Sequence, residues 1–279
     1  MWTLPRRGAI DLSTARRDEK DCDMTTRVRQ YLCLKDNYGV LVHDPETGAT
    51  AAIDAPDAEA TIAAAVAQGW ELTDVLLTHW HFDHVQGVPG LRARFPKLRV
   101  AGPAKEAQRI GSLDIRLSEG DDARVGSLAA RVLETPGHTA GHIVYWFEGE
   151  EIVFTGDTLF SLGCGRVFET PYPVMWDSLV KLAALPGETE VYCGHEYTEA
   201  NARFALTIEP DNAVLRARAA AAAALSARGE ATLPTTIAAE LAANPFLRAE
   251  QRNVQAAVGL AGADPAAVFA ELRARKDRF

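Results

Sequence analysis

The chain has 279 residues, 47% hydrophobic and 24% charged, which suits one large globular domain, or one domain with a smaller appendage. A formal net charge of −9 argues against a general nucleic-acid binder, and no apolar run approaches the roughly 20 residues that cross a bilayer. The four cysteines, Cys22, Cys33, Cys164 and Cys193, form no C-x-x-C pair; this argues against a thiolate zinc site or a disulfide framework and fits a reducing, cytoplasmic setting.

Residues 1–26 are expected to form a disordered extension. They contain arginines but also five acidic residues and no apolar stretch, so they read as neither a secretory signal nor a transit peptide, and Met24 offers a second candidate start. From Arg27 the chain alternates short β-branched runs with helical stretches. RVRQYLCL, YGVLVHD, TAAID, DVLLT, LRVAG, LDIRL, LAARVLET, HIVYWF, EIVFTG and EVYCG read as strands, and residues 57–68, 88–95 and 174–185 as helices. This pattern predicts a mixed α/β layered domain over residues 27–198. After Tyr197 strand signals stop. The alanine-rich VLRARAAAAAALSARGE reads as one helix, a second is expected near Thr236, and a third after Asp264-Pro265, an N-cap followed by proline at the first helical position. Residues 199–279 are therefore expected to be a helical domain.

Chemistry concentrates where apolar runs end. DVLLT is followed at once by His79, His81, Asp83 and His84, four metal-ligand types within six residues of a chain that has only seven histidines. Three further runs stop at glycine-containing turns that present His138, Asp157 and His195. Five imidazoles and two carboxylates exceed what one tetrahedral ion needs. They suit two divalent ions, with His79, His81 and His138 on the first, Asp83, His84 and His195 on the second, and Asp157 between them. A bridging hydroxide would complete the shells of ions about 3.5–4 Å apart. His43 reads as an ordinary structural histidine, and His142 as a structural or outer-shell residue at the start of HIVYWF. Asp54 either supports a ligand or caps a turn. Cys164 and Cys193 read as packing residues in turns.

At these residues, in the pattern T-H-x-H-x-D-H at residues 78–84, the sequence resembles the metallo-β-lactamase superfamily. LKDNYG, TPGHTAGH, GDTLFSLGCGRVFE, YCGHEYT, NPFLR and LRARKDRF narrow the likeness to the hydroxyacylglutathione hydrolases, or glyoxalases II, over residues 27–279. The resemblance implies a four-layer αββα sandwich with a C-terminal helical region that binds glutathione. It implies hydrolysis of S-D-lactoylglutathione to D-lactate and glutathione by a metal-bridging hydroxide, with Asp83 and Asp157 counted as catalytic as well as ligating. Zinc is the expected pair of ions, with iron and manganese as alternatives. It further implies substrate contacts at Arg166, Phe168, Tyr197, Arg273 and Lys276. Phe168 stands where some relatives have tyrosine, and TPYPVMW after Glu169 departs from the glycine-threonine of many relatives. Arg273 and Lys276, three apart on one helix, share a face and suit a carboxylate; without the family likeness they would read as a solvated helix end. The expected partner is a small glutathione thioester met by a monomer, with no nucleic acid and no membrane. The enzymatic rival is a single-iron glutathione persulfide dioxygenase, whose relatives usually lack NPFLR and the closing cations.

Overall fold

The computed structural model describes residues 26–279, so the extension expected over residues 1–26 lies, Thr26 apart, outside the described residues. One sheet orders its strands as they occur in sequence: β1 (Arg27–Cys33), β2 (Asn37–His43), β3 (Thr50–Ile53), β4 (Asp74–Leu76), β5 (Arg99–Pro103) and β6 (Ile115–Leu117). The parallel steps from β3 to β4 and from β4 to β5 require crossovers. Helix α1 (Ala58–Gln68) supplies the first, and α2 (Phe82–Val85) with α3 (Val88–Arg94) the second, before the short α4 (Ala107–Ile110). Asp57 starts α1 by accepting from the Ala60 amide, and Gly69 ends it in the left-handed conformation that glycine adopts without strain.

The second sheet contains β7 (Asp122–Val125), β8 (Leu128–Glu134), β9 (Ile143–Phe147) and β10 (Ile152–Gly156). The hairpin β11 (Leu159–Phe160) and β12 (Gly163–Cys164) follows, then α5 (Tyr172–Ala183) and β13 (Glu190–Cys193), which returns parallel to β10. Along β9 the period-two pattern divides two cores. Ile143, Tyr145 and Phe147 meet Val40, Val42, Ile53 and Leu76 between the sheets, while Val144 faces the outer helices with Val153 and Val191. Helices α1 and α3 cover the first sheet through Ala65, Leu91 and Phe95, completing the expected αββα layering.

The C-terminal region is helical as expected, apart from one short strand. Its helices are α6 (Thr198–Ile208), α7 (Ala213–Ser226), α8 (Ile237–Ala243), α9 (Arg252–Ala257) and α10 (Pro265–Arg278). Between α7 and α8 lies β14 (Thr235–Thr236), which extends the second sheet by pairing with Glu190 and Val191 of β13. Two residues carry no periodicity, so only the pairing reveals this strand. The helices share one core with α5: Phe246, Phe269 and Leu272 pack with Met175, Leu179 and Leu182. Asp264 caps α10 as expected, accepting from the Ala266 amide. Among the described residues, no helix is long and apolar enough to cross a membrane.

Candidate metal centre

The chain just beyond β4, β8, β10 and β13 meets at one edge of the sandwich. There the seven residues singled out by type and spacing come together in two clusters joined by one carboxylate. In the first, His81 Nδ1 lies 3.1 Å from His79 Nε2 and 2.8 Å from His138 Nε2. In the second, His84 Nε2 and His195 Nε2 are 3.2 Å apart, and Asp83 Oδ2 is 3.6 Å and 3.4 Å from them. Asp157 reaches both: Oδ2 is 3.3 Å from His138 and 3.4 Å from His195, and Oδ1 is 3.5 Å from His84.

The outer ring nitrogens fix which atom of each histidine points inward. His84 Nδ1 donates to Asp54 Oδ2 at 2.8 Å, His195 Nδ1 to Asp36 Oδ1 at 3.0 Å, and His138 Nδ1 to the Arg166 carbonyl at 2.9 Å. Thr78 Oγ1 spends its proton on Asp54, so it accepts from His79 Nδ1 at 2.9 Å. With the rings neutral, each Nε2 of these four histidines presents a lone pair, and those of His84 and His195 face each other. Two acceptors at that distance repel unless a positive charge, a proton or a metal ion, lies between them. Asp157 Oδ1 is buried and has no hydrogen-bond partner. A buried acceptor without a donor, among converging lone pairs, fits divalent ions.

Electrostatics divide the clusters. Burial is the largest influence on the first; it lowers His79 well below its ordinary value, His81 to about 4, and His138. Those rings are held neutral, the form that binds metal. In the second, burial opposes protonation, but Asp157 and its neighbours prevail, raising His84 and taking His195 to about 11. Asp157 itself is held far below the usual carboxylate range, against its burial, by His195 and His84.

Behind the ligands, His142 is fully buried: its Nε2 accepts from the Asp157 amide at 3.1 Å, and Thr135 and Thr158 hold its Nδ1 side. Asp54, left between two readings, supports His84 and Thr78. His43 stacks on Trp70, with ring centroids 4.5 Å apart, and belongs to neither cluster. Gly156 and Gly194 are required by close approach. A Cβ at Gly194 would stand 2.5 Å from Asp157 Oδ1, and one at Gly156 2.7 Å from His142 Nε2.

A cleft of about 690 Å³ opens from the clusters. Tyr197 stacks on His195, and exposed Phe168 stands with its ring 5.3 Å from that of His138. Arg166, Arg203, Arg273 and Lys276 line the far wall. Arg273 is buried, donating to the Cys164 carbonyl at 2.9 Å and to Asp277 at 2.8 Å, so it ties α10 to the hairpin as well as charging the wall. Lys276 Nζ donates to the Ala200 carbonyl at 2.9 Å, and burial and then Arg273 lower its pKa to about 8.

Sequence reasoning did not single out four residues. Asp36 holds His195; Asn37 donates to Asp83 Oδ2 at 3.0 Å; buried Glu106 accepts from the Trp80 amide; Arg203 lines the cleft. Asp36 and Asn37 lie within LKDNYG, which signalled a family but not a task. Arg203 sits one turn past Ala200 on α6, a spacing with no signature of its own.

The fold and this edge define a protein of the metallo-beta-lactamase superfamily, whose family model matches residues 35–195. A second model, described as hydroxyacylglutathione hydrolase C-terminus, matches residues 196–279. A hydroxyacylglutathione hydrolase of Rhodopseudomonas palustris (strain BisA53) is 55% identical over 255 residues, 91% of this chain and 100% of the relative. One from Nitrobacter winogradskyi is 54% identical over the same shares. The chain belongs to the hydroxyacylglutathione hydrolase family. Among solved structures it is similar to ETHE1 from Myxococcus xanthus, with TM-score 0.62, 28% identity and coverage of 90% of this chain and 98% of that one. It is also similar to TTHA1623 in a di-iron-bound form, with TM-score 0.54, 26% identity and coverage of 77% and 98%.

Proposed function

We propose that the protein hydrolyses S-D-lactoylglutathione and related S-2-hydroxyacylglutathiones to the hydroxy acid and glutathione. The observation behind this reading is a single cleft that joins both imidazole–carboxylate clusters to a wall of four cations. His79, His81 and His138 would hold one divalent ion and Asp83, His84 and His195 a second, with Asp157 serving both; the likeness to a di-iron-bound protein supports two ions, and zinc, iron or manganese suits these donors. When bound, such ions supply Lewis acidity toward a carbonyl and lower the pKa of water from 15.7 to about 7.

The chain's own residues do the rest. Arg166, Arg203 and Lys276 meet the carboxylates of glutathione by charge-assisted hydrogen bonds, and Arg273 adds charge while bracing the wall. Tyr197 lies between that wall and the clusters, where the thioester sulfur must pass. Phe168 covers the first cluster and limits water on the acyl side, without the hydroxyl a tyrosine would offer. A thiolate leaves readily near neutral pH, so no general acid is needed at the sulfur. Residues 199–279 act as the recognition region over a catalytic unit of residues 27–198. The acidic net charge supports the absence of a nucleic-acid partner. The test is loss of thioester absorbance with S-D-lactoylglutathione, with and without chelator, alongside a metal assay. Oxygen uptake with glutathione persulfide and no thioester hydrolysis would replace this reading with the single-iron dioxygenase.

A further inference from the structure

We propose that Glu106 is a positioning residue that sets His81 against His138, and so fixes the geometry of the first cluster alone; this rests on the ligand reading above. Glu106 lies in the segment between β5 and α4, supplies no ligand and does not line the cleft, yet it is 2% exposed. One carboxylate oxygen accepts from the Trp80 amide at 2.7 Å. The other accepts from the Gly141 amide at 2.9 Å and from the Thr139 hydroxyl. One residue therefore clamps the loop that carries His81 to the loop that carries His138.

The clamp answers a specific lack. The outer nitrogens of His79, His84, His138 and His195 each have a partner, which orients the ring. Among the hydrogen bonds of the described residues, His81 uses only Nδ1, the inward atom. Its direction therefore depends on its backbone and ring contacts, and Glu106 holds the amide of the preceding residue, Trp80, whose ring also packs edge-on to His81 at 4.6 Å. A second contact reinforces the same junction: Arg109 covers the Trp80 ring at 3.6 Å and pairs with Glu169, which accepts from the Ala140 amide at 2.8 Å. Gly141 is required as well, since a Cβ there would stand 2.6 Å from Glu106 Cγ.

A carboxylate is needed because donors approach both oxygens. Glu106→Gln keeps the volume but turns an NH₂ toward either the Trp80 or the Gly141 amide, so one loop is released. The experiment is stepwise removal of zinc from the zinc-loaded protein by a competing chelator, with bound metal counted by native mass spectrometry. Wild type, Glu106→Gln, His81→Ala and the double variant are compared, and apo-protein melting temperature is followed as a control. In Glu106→Gln the affinity of one ion should fall about 10–100-fold, as loss of outer support does, while the other ion is unchanged. In the His81→Ala background, adding Glu106→Gln should leave the remaining ion unaffected. Equal weakening of both ions, or of neither, overturns the proposal, as does an added effect on the remaining ion in the double variant. Should Glu106→Gln fail to fold, Gly141→Ala displaces the same carboxylate and is judged by the same outcomes. A wild type that holds one ion defeats the two-ion reading instead, and Glu106 is then judged on that ion's affinity. None of these readouts depends on thioester turnover.

Discussion

If the clustered imidazoles and carboxylates carry the chemistry and the cleft cations the recognition, as proposed, their replacement should separate in kinetics. His81→Ala removes an inward nitrogen rather than an outer support. Turnover should fall by more than about 10²-fold, beyond what losing only an outer partner costs, with one equivalent of metal lost on elemental analysis. Retention of full metal and rate would refute the assignment. On the proposed reading, Lys276→Ala removes a cation of the cleft wall that would contact substrate in ground and transition state alike. It should raise KM about tenfold, roughly 1.4 kcal/mol, with kcat little changed. The same lysine gives a pH signature. Its folded-state pKa is lowered to about 8, so its charge is present below that pH and lost above it. In wild type, kcat/KM should therefore decline as pH rises through about 8, and in Lys276→Ala this limb should vanish. Persistence of the limb in the variant would assign it to another group.

Elements position these residues through a few buried polar joints that join distant parts of the chain. Glu240 of α8 is fully buried and accepts from the Leu162 amide, the Thr235 hydroxyl and the Asn244 side chain, so it holds the β11–β12 hairpin beside the cleft. At the end of α6, buried Glu209 receives both Arg248 at 2.8 Å and 3.0 Å and Asn253. Arg248→Ala would leave that carboxylate buried without its cation, at a cost of about 3–5 kcal/mol in urea unfolding. This joint shares no residue with the imidazole–carboxylate clusters or the cleft, so kcat of the folded variant should be close to that of wild type. A variant of unchanged stability would show that water replaces the arginine.

At the scale of the whole molecule, the proposed ligands come from four separate stretches, so ion binding would be linked to folding. Stripping divalent ions should lower the melting temperature, because an ion held at 1,000 times its Kd contributes about 4.1 kcal/mol. For a domain of this size that corresponds to a fall of about 10 °C by calorimetry, reversed by added zinc. Identical curves with and without chelator would count against ions at this edge. The same architecture explains why a chain of net charge −9 can receive an anionic thioester: four cations are gathered on one wall, three of them from α6 and α10.

Strand positions and candidate ligands follow from local sequence, since the apolar runs are short and four of them end at a turn that presents an imidazole or a carboxylate. That regularity made β1 to β6, β8 to β10 and β13 readable, along with the seven residues at their ends. The two-residue β11, β12 and β14 are too short to carry a period and were not readable; neither were β7, which has only two apolar residues, nor α2, α4, α6 and α9. Supporting residues left no local trace because their partners are remote: Asp36 meets His195 across 159 positions, and Glu106 meets its donors across 26 to 35. Arg273 shows the same division, since spacing places it beside Lys276, but only packing commits its guanidinium to Cys164 and Asp277. Residue type and period are properties of neighbours along the chain; hydrogen-bond partners and burial are properties of neighbours in space, and only folding brings those together.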